Sequence, residues 1–173
     1  LIRKGARVGG RSQEAVGTLF ARPSGLMRWE YREPAGQLWV FQPDQIFFYL
    51  PEDHQVQVYD TAFTDPSQTP TLLLTGQGDL QGTFDVSGTE WGERLAPANI
   101  QLSLLPRDDQ VSYTSLVLEI RPDTALIERL VVYDTIGNPT EYRFSDVEID
   151  TGLSDALFEF SVPEGAEVIR VNR

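Results

Sequence analysis

Few residues of this chain could do chemistry, and their spacing decides what that chemistry would be. The one histidine, His54, follows Asp53, and a histidine base needs a nucleophile or a metal partner within reach. No Ser-His-Asp order and no His-x-x-x-His spacing supplies one, so His54 reads as a solvated turn residue. Glu52-Asp53 and Asp108-Asp109 are adjacent carboxylates, but both pairs lie in turn-forming stretches, where acids serve turn chemistry. Gly76-Gln-Gly78 lacks the third glycine and the preceding strand of a dinucleotide fingerprint. The basic and glycine positions from Arg3 to Arg7 match no phosphate-loop spacing. The chain has no cysteine, which excludes disulfides, thiolate metal sites and thiol nucleophiles. The expectation is a protein that is not an enzyme and holds neither a metal nor a cofactor. Binding through apolar surface is what remains.

At 173 residues the chain is long enough to bury a sizeable core, and it reads as a single domain, residues 1–173. Hydrophobic residues make up 40% and charged residues 23%, too polar for a membrane protein. No apolar run approaches the roughly 20 residues that span a bilayer. The formal net charge of −12 argues against nucleic acid as a partner, because phosphate binding needs a basic face. Glu33 to Glu93 carries ten acids and neither Lys nor Arg, an asymmetry suited to docking a partner of opposite charge. Leu1 is not methionine, so the first residues are read as a cut edge.

An apolar site needs a framework, and the hydrophobic pattern makes that framework β. Gly9-Gly10 reads as a hairpin bend before a strand from Glu14 to Phe20. The stretch from Arg22 to Tyr31 reads as a turn followed by a strand with Met27, Trp29 and Tyr31 on one side and Leu26, Arg28 and Glu30 on the other. Gln37 to Phe41, Ile46 to Leu50 and Gln55 to Tyr59 continue an antiparallel meander, dense in aromatic residues. The β pattern then stops. Pro70 suits the first turn of a helix with Leu72, Leu73 and Leu74 as its apolar body; Gly76 and Gly78 end it, and Asp79 caps a second short turn leading to Leu80.

Strands resume at Thr83 to Val86, Asn99 to Leu105, Tyr113 to Arg121, Ala125 to Asp134, Thr140 to Ile149, Leu157 to Val162 and Glu167 to Val171. Within these, Leu116, Leu118 and Ile120 alternate with Val117, Glu119 and Arg121, which predicts a half-buried strand. An antiparallel sheet of this many strands curls or closes, with the leucine-rich insert as its cover.

Taken in order, Gly17-Thr-Leu-Phe-Ala-Arg22-Pro23, Met27-Arg-Trp29-Glu-Tyr31, Pro34, Leu38-Trp-Val40 and Ile46-Phe-Phe-Tyr49 resemble the N-terminal half of the LolA family, periplasmic carriers of outer-membrane lipoproteins. Thr69-Pro70-Thr-Leu-Leu-Leu74 with Gly76, Gly78, Asp79 and Leu80 is similar to that family's leucine-rich segment, and Leu157-Phe-Glu-Phe-Ser-Val-Pro163-Glu-Gly165 to its closing strand and turn. The resemblance implies an incomplete, strongly curved antiparallel β-barrel with a helical lid, mainly β with short helices. The family's N-terminal helix has no counterpart in this sequence.

The resemblance also implies a lumen that takes acyl chains, lined here by Met27, Trp29, Tyr31, Leu38, Phe47 and Tyr49. Arg22 matches the arginine that latches the lid, and Leu72, Leu73, Leu74 and Leu80 belong to the lid itself. The implied partners are lipoproteins, the inner-membrane ABC transporter LolCDE and the outer-membrane receptor LolB or an equivalent, with the carrier a monomer in the periplasm. A second reading is a LolA-like periplasmic lipoprotein sensor or anti-sigma partner.

Overall fold

The structure, a computed structural model, describes residues 2–8, 11–33, 35–60, 70–75, 79–109, 111–149 and 151–171, without the side chains of residues 2–8, 11–13 and 70–72. The expected bend at Gly9-Gly10 and the glycines after the leucine-rich segment lie outside the described residues. The chain divides into two compact units. One holds residues 15–77 and 147–173, the other 2–14 and 78–146.

In the first unit, residues 15–21 of β2 (Arg11–Ala21), β3 (Met27–Glu33), β4 (Leu38–Phe41), β5 (Gln45–Leu50) and β6 (Gln55–Asp60) pair antiparallel in chain order. Gly17 lets β2 and β3 approach, since a Cβ there would lie 2.2 Å from the Glu30 carbonyl oxygen. The last strand, β12 (Glu167–Val171), adds to β6 in parallel, so the sheet is not purely antiparallel as expected. A parallel partner needs a long crossover rather than a hairpin, and the chain between β6 and β12 supplies it.

The expected strand from Leu157 to Val162 is absent. Residues Asp155–Phe158 form a 3-10 helix and 159–163 are irregular. The alternation of Phe158 and Phe160 reads as a strand, yet both rings insert into a sheet face from above. Phe158 is buried and the Phe160 ring lies 4.9 Å from that of Phe47.

In the second unit, β1 (Ile2–Val8), β11 (Pro139–Phe144), β10 (Leu126–Asp134), β9 (Tyr113–Arg121), β8 (Ile100–Pro106) and β7 (Phe84–Gly88) are neighbours in that order. β11 stops at Phe144, shorter than the expected run to Ile149. The core lies on the face carrying Leu104, Leu116, Leu118 and Leu130, all essentially inaccessible to solvent. Turn signals hold: Asp134 accepts hydrogen bonds from the Ile136 and Asn138 backbone N–H groups at 3.0 and 2.8 Å, closing the β10–β11 hairpin.

The opposite face departs from expectation. Val117 and Glu119, read as the outward half of β9, are buried as well, because residues 89–99 cross that face. Glu119 accepts from the Leu95 backbone N–H at 2.5 Å, Asn99 Nδ2 at 2.9 Å and Gln101 Nε2 at 3.2 Å, and pairs with Arg129 at 3.0 Å. Arg129 donates to the Glu93 carbonyl at 2.9 Å and sits over the Trp91 ring. Its Nε lies 3.0 Å from Glu141 without the alignment of a hydrogen bond. Burial pushes the Glu119 carboxyl pKa up, but the bonds from Asn99, Gln101 and Leu95 and the Arg129 charge together bring it below the ordinary glutamate value.

Candidate functional site

The stretch from Arg22 to Tyr31 begins with a turn in which the Arg22 N–H donates to the Leu26 carbonyl at 2.9 Å and the Gly25 N–H to the Arg22 carbonyl at 3.0 Å. Gly25 takes φ 89°, a conformation glycine adopts without penalty, so the turn delivers Met27 to the sheet in register. Met27 then pairs with Ala21 and Phe41, and Trp29 with Leu19 and Trp39.

Cross-strand partners share a face, and the registers therefore sort the candidate residues. Met27, Trp29 and Tyr31 lie on one face together with Trp39, Phe41, Ile46 and Phe48. Leu38 pairs with Glu30 and Tyr49, and Phe47 with Val40 and Val58, which puts Leu38, Phe47 and Tyr49 on the opposite face. The six expected lumen residues are thus split, three to each side of one sheet.

The Met27 face is aromatic and buried along β3, where Met27 is 0% exposed and Trp29 4%, while Trp39, Phe41 and Phe48 are half-buried. Trp39 stacks on Phe48 with centroids 4.1 Å apart and also lies near Phe41 and Tyr59. Trp39, Phe41, Ile46 and Phe48 were not among the expected site residues. The four-residue connection between Phe41 and Ile46, closed by Gln42 N–H to the Gln45 carbonyl at 2.9 Å, is the signal that sets their register.

The opposite face is covered by residues 153–160. Arg28 donates to the Leu157 carbonyl at 3.3 Å, Gln42 Nε2 to the Phe158 carbonyl at 2.9 Å, and Phe160 packs on Phe47. Arg22 joins the same strap. Among the described residues its guanidinium donates to the Leu153 carbonyl and the Asp155 carboxylate, and it lies over the Phe158 ring. The arginine expected to hold the leucine-rich segment is therefore seen gripping the strap that carries the Asp155–Phe158 helix.

The leucine-rich segment is a 3-10 helix, Pro70–Thr75, beginning at the expected proline. Leu73 and Leu74 are half-buried and Thr75 is buried, while the Leu72 side chain lies outside the described residues. Leu80 opens α1 (Leu80–Thr83), where Asp79 caps by accepting from the Gly82 N–H at 2.9 Å, and Leu80 itself is exposed. His54 sits exposed in a turn at φ 47°, and its carbonyl accepts from the Glu167 N–H at 2.8 Å. Its visible part in the fold is a backbone one. Glu52, Asp53, Asp108 and Asp109 are exposed in connections. Among the described residues no group of three or more His, Asp or Glu side chains is arranged to hold a metal, and no helix is long and apolar enough to cross a membrane.

The family model described as outer membrane lipoprotein carrier protein LolA matches residues 5–161. An outer-membrane lipoprotein carrier protein from Chromohalobacter salexigens is 32% identical over 165 residues, covering 94% of this chain and 74% of that protein. One from Hahella chejuensis is 30% identical over 159 residues, covering 91% and 73%. A solved structure, an uncharacterized conserved protein from Thermus thermophilus, shares the fold with a TM-score of 0.54 at 18% identity, covering 98% of this chain and 88% of that one. A mainly β architecture with short helices, a strand carrying Met27 and Trp29 behind Arg22-Pro23, and a family match running through both units lead to one conclusion: the chain belongs to the LolA family of outer membrane lipoprotein carrier proteins.

Proposed function

We propose that residues 1–173 act as one periplasmic carrier domain that binds the acyl chains of lipoproteins against the Met27 face of the first unit and passes them from the inner-membrane transporter LolCDE to the outer-membrane receptor LolB or an equivalent. The observation that carries this reading is the division of the aromatic residues by register. One apolar face is occupied by the Phe158 and Phe160 rings of the strap, and the other gathers Met27, Trp29, Tyr31, Trp39, Phe41, Ile46 and Phe48 into one continuous apolar wall. A hydrocarbon chain packs against such a wall. Methionine at position 27 suits varied chains, because its unbranched thioether adapts its shape.

Met27 and Trp29 are shielded from water in this structure, so acyl chains reach them in an opened state. Leu72, Leu73, Leu74 and Leu80 are the cover that yields in this reading, whereas Arg22 fastens the strap on the opposite face. Displacement of that cover is offset by new apolar burial, at about 25 cal/mol per Å². The resulting capture is reversible, as a carrier requires.

The test is a photo-crosslinking amino acid placed in turn at Met27, Trp29, Leu38 and Tyr49, with purified diacylated lipoprotein. Capture at 27 and 29 and little at 38 and 49 is the expected result. Capture at none of the four sites in folded protein overturns the carrier reading, and capture at 38 and 49 alone moves the site to the strap side.

A further inference from the structure

The Met27 face does not stay apolar toward its edge strand, β12, whose Glu167, Ile169 and Val171 stand beside Gln55, Gln57 and Tyr59 of β6. On β6 its positions are Gln55, Gln57 and Tyr59, facing Leu50, Phe48 and Ile46 of β5. The intervening Val56 and Val58 are buried on the strap side. The three polar groups are half-buried and bonded in one direction: the Tyr59 hydroxyl donates to Gln57 Oε1 at 2.7 Å, and Gln57 Nε2 donates to Gln55 Oε1 at 3.0 Å. Each amide carbonyl in the row is thereby engaged as an acceptor. The row ends on the Gln55 amide nitrogen, a group that only donates.

Beside it stands the ring stack of Trp39, Phe48 and Tyr59. A donor-ended row beside an aromatic wall suits a ligand whose long apolar chains are joined to groups that accept hydrogen bonds. Ester carbonyls are such groups.

We propose that Gln55, Gln57 and Tyr59 form a binding row for the ester carbonyls of a diacylglyceryl group, fixing how deep the acyl chains lie along the aromatic wall. The proposal rests on the acyl-carrier reading and adds to it the part of the ligand that is recognised through polar contacts. A diacylglyceryl diester can come from a lipoprotein's modified cysteine or from a phospholipid, and the row itself reads the chemistry common to both.

The experiment measures binding of the whole chain to a dipalmitoylglyceryl-cysteine peptide and to dipalmitoyl phosphatidylglycerol, each against its diether analogue, which keeps the chains and lacks the carbonyls. The ester form is expected to bind about tenfold tighter than the ether form, the worth of one good hydrogen bond. In Gln55→Leu, and separately in Tyr59→Phe, the ratio of ester to ether binding should shrink toward unity. Tyr59→Phe keeps the ring stack, so it reads the row where Gln55→Leu disturbs packing. Equal binding of ester and ether peptides to the unaltered chain overturns the row and leaves the carrier reading standing. A preference seen with the phospholipid alone supports the row and removes the lipoprotein as its source. Failure of every ligand to bind overturns both.

Discussion

Two irregular segments, each lying on a sheet face, are held by opposite means. Residues 89–99 in the second unit are fastened by charges sealed from water: Glu119 is 0% and Arg129 4% exposed, and between them they reach Leu95, Asn99, Gln101 and the Glu93 carbonyl. Residues 153–160 in the first unit are fastened by ring insertion and by part-exposed donors on backbone carbonyls, and the ion pair from Arg22 ends on an Asp155 that is 85% exposed. The difference is one of reversibility. A buried ion pair is expensive to break singly, because the abandoned charge has nowhere to go. Carbonyls released from part-exposed donors go to water at little net cost. The loop of the second unit is tied by a charge pair that is costly to break, and the strap of the first by part-exposed hydrogen bonds and the buried Phe158 ring.

The comparison can be broken most directly at Arg129. Arg129→Met leaves Glu119 buried without its counter-charge and should cost about 3–5 kcal/mol in urea unfolding. A loss below about 1 kcal/mol would mean that the charges are as well solvated as those of the strap. Phe158→Ala removes the ring that anchors the strap and should cost about 3 kcal/mol, with most of the loss seen as faster hydrogen exchange at residues 153–160. If exchange there stayed slow, the donors rather than the ring would hold the strap.

Acid sharpens the contrast. Glu119 has its folded pKa below the ordinary value of 4.5, so its contribution is full above the unfolded value and is lost as pH falls through the folded one. Protection of the Leu95 amide, corrected for intrinsic exchange, should therefore decline only below about pH 4.5, and Glu119→Gln should flatten that decline. The smallest effect belongs to Asp155→Asn. An exposed ion pair contributes about 1 kcal/mol or less, and a thermal unfolding midpoint within a degree or two of the unaltered chain is expected. A large drop would make the strap an electrostatic clamp like the other.

Much of this was readable from residue order. Short β-rich runs bounded by turn residues located most strands, and Tyr113–Arg121 and Glu167–Val171 match their expected limits. Pro70 and Asp79 marked two helical starts because a missing N–H and a short side-chain acceptor act locally, whatever packs around them. The family, too, lay in the order of motifs from Gly17 to Gly165.

Tertiary structure decided what lies across the chain rather than along it. Alternation says which residues of one strand share a side, but the side itself is set by register against the next strand. Leu38 and Trp29 could be assigned to one wall until the pairing of Trp29 with Trp39 separated them. A register shift between Ile127 and Arg129 lets Glu128 and Arg129, neighbours in sequence, both serve the cluster around Asn99 and Glu119. Glu119 reads as a solvent-facing acid until residues 89–99 are laid over it. Phe158 and Phe160 read as a strand until Arg28 and Gln42 claim its carbonyls. Local sequence determines backbone propensity through forces acting within a few residues, whereas register, cover and the burial of a charge depend on partners distant in the chain that only the folded sheet brings into contact.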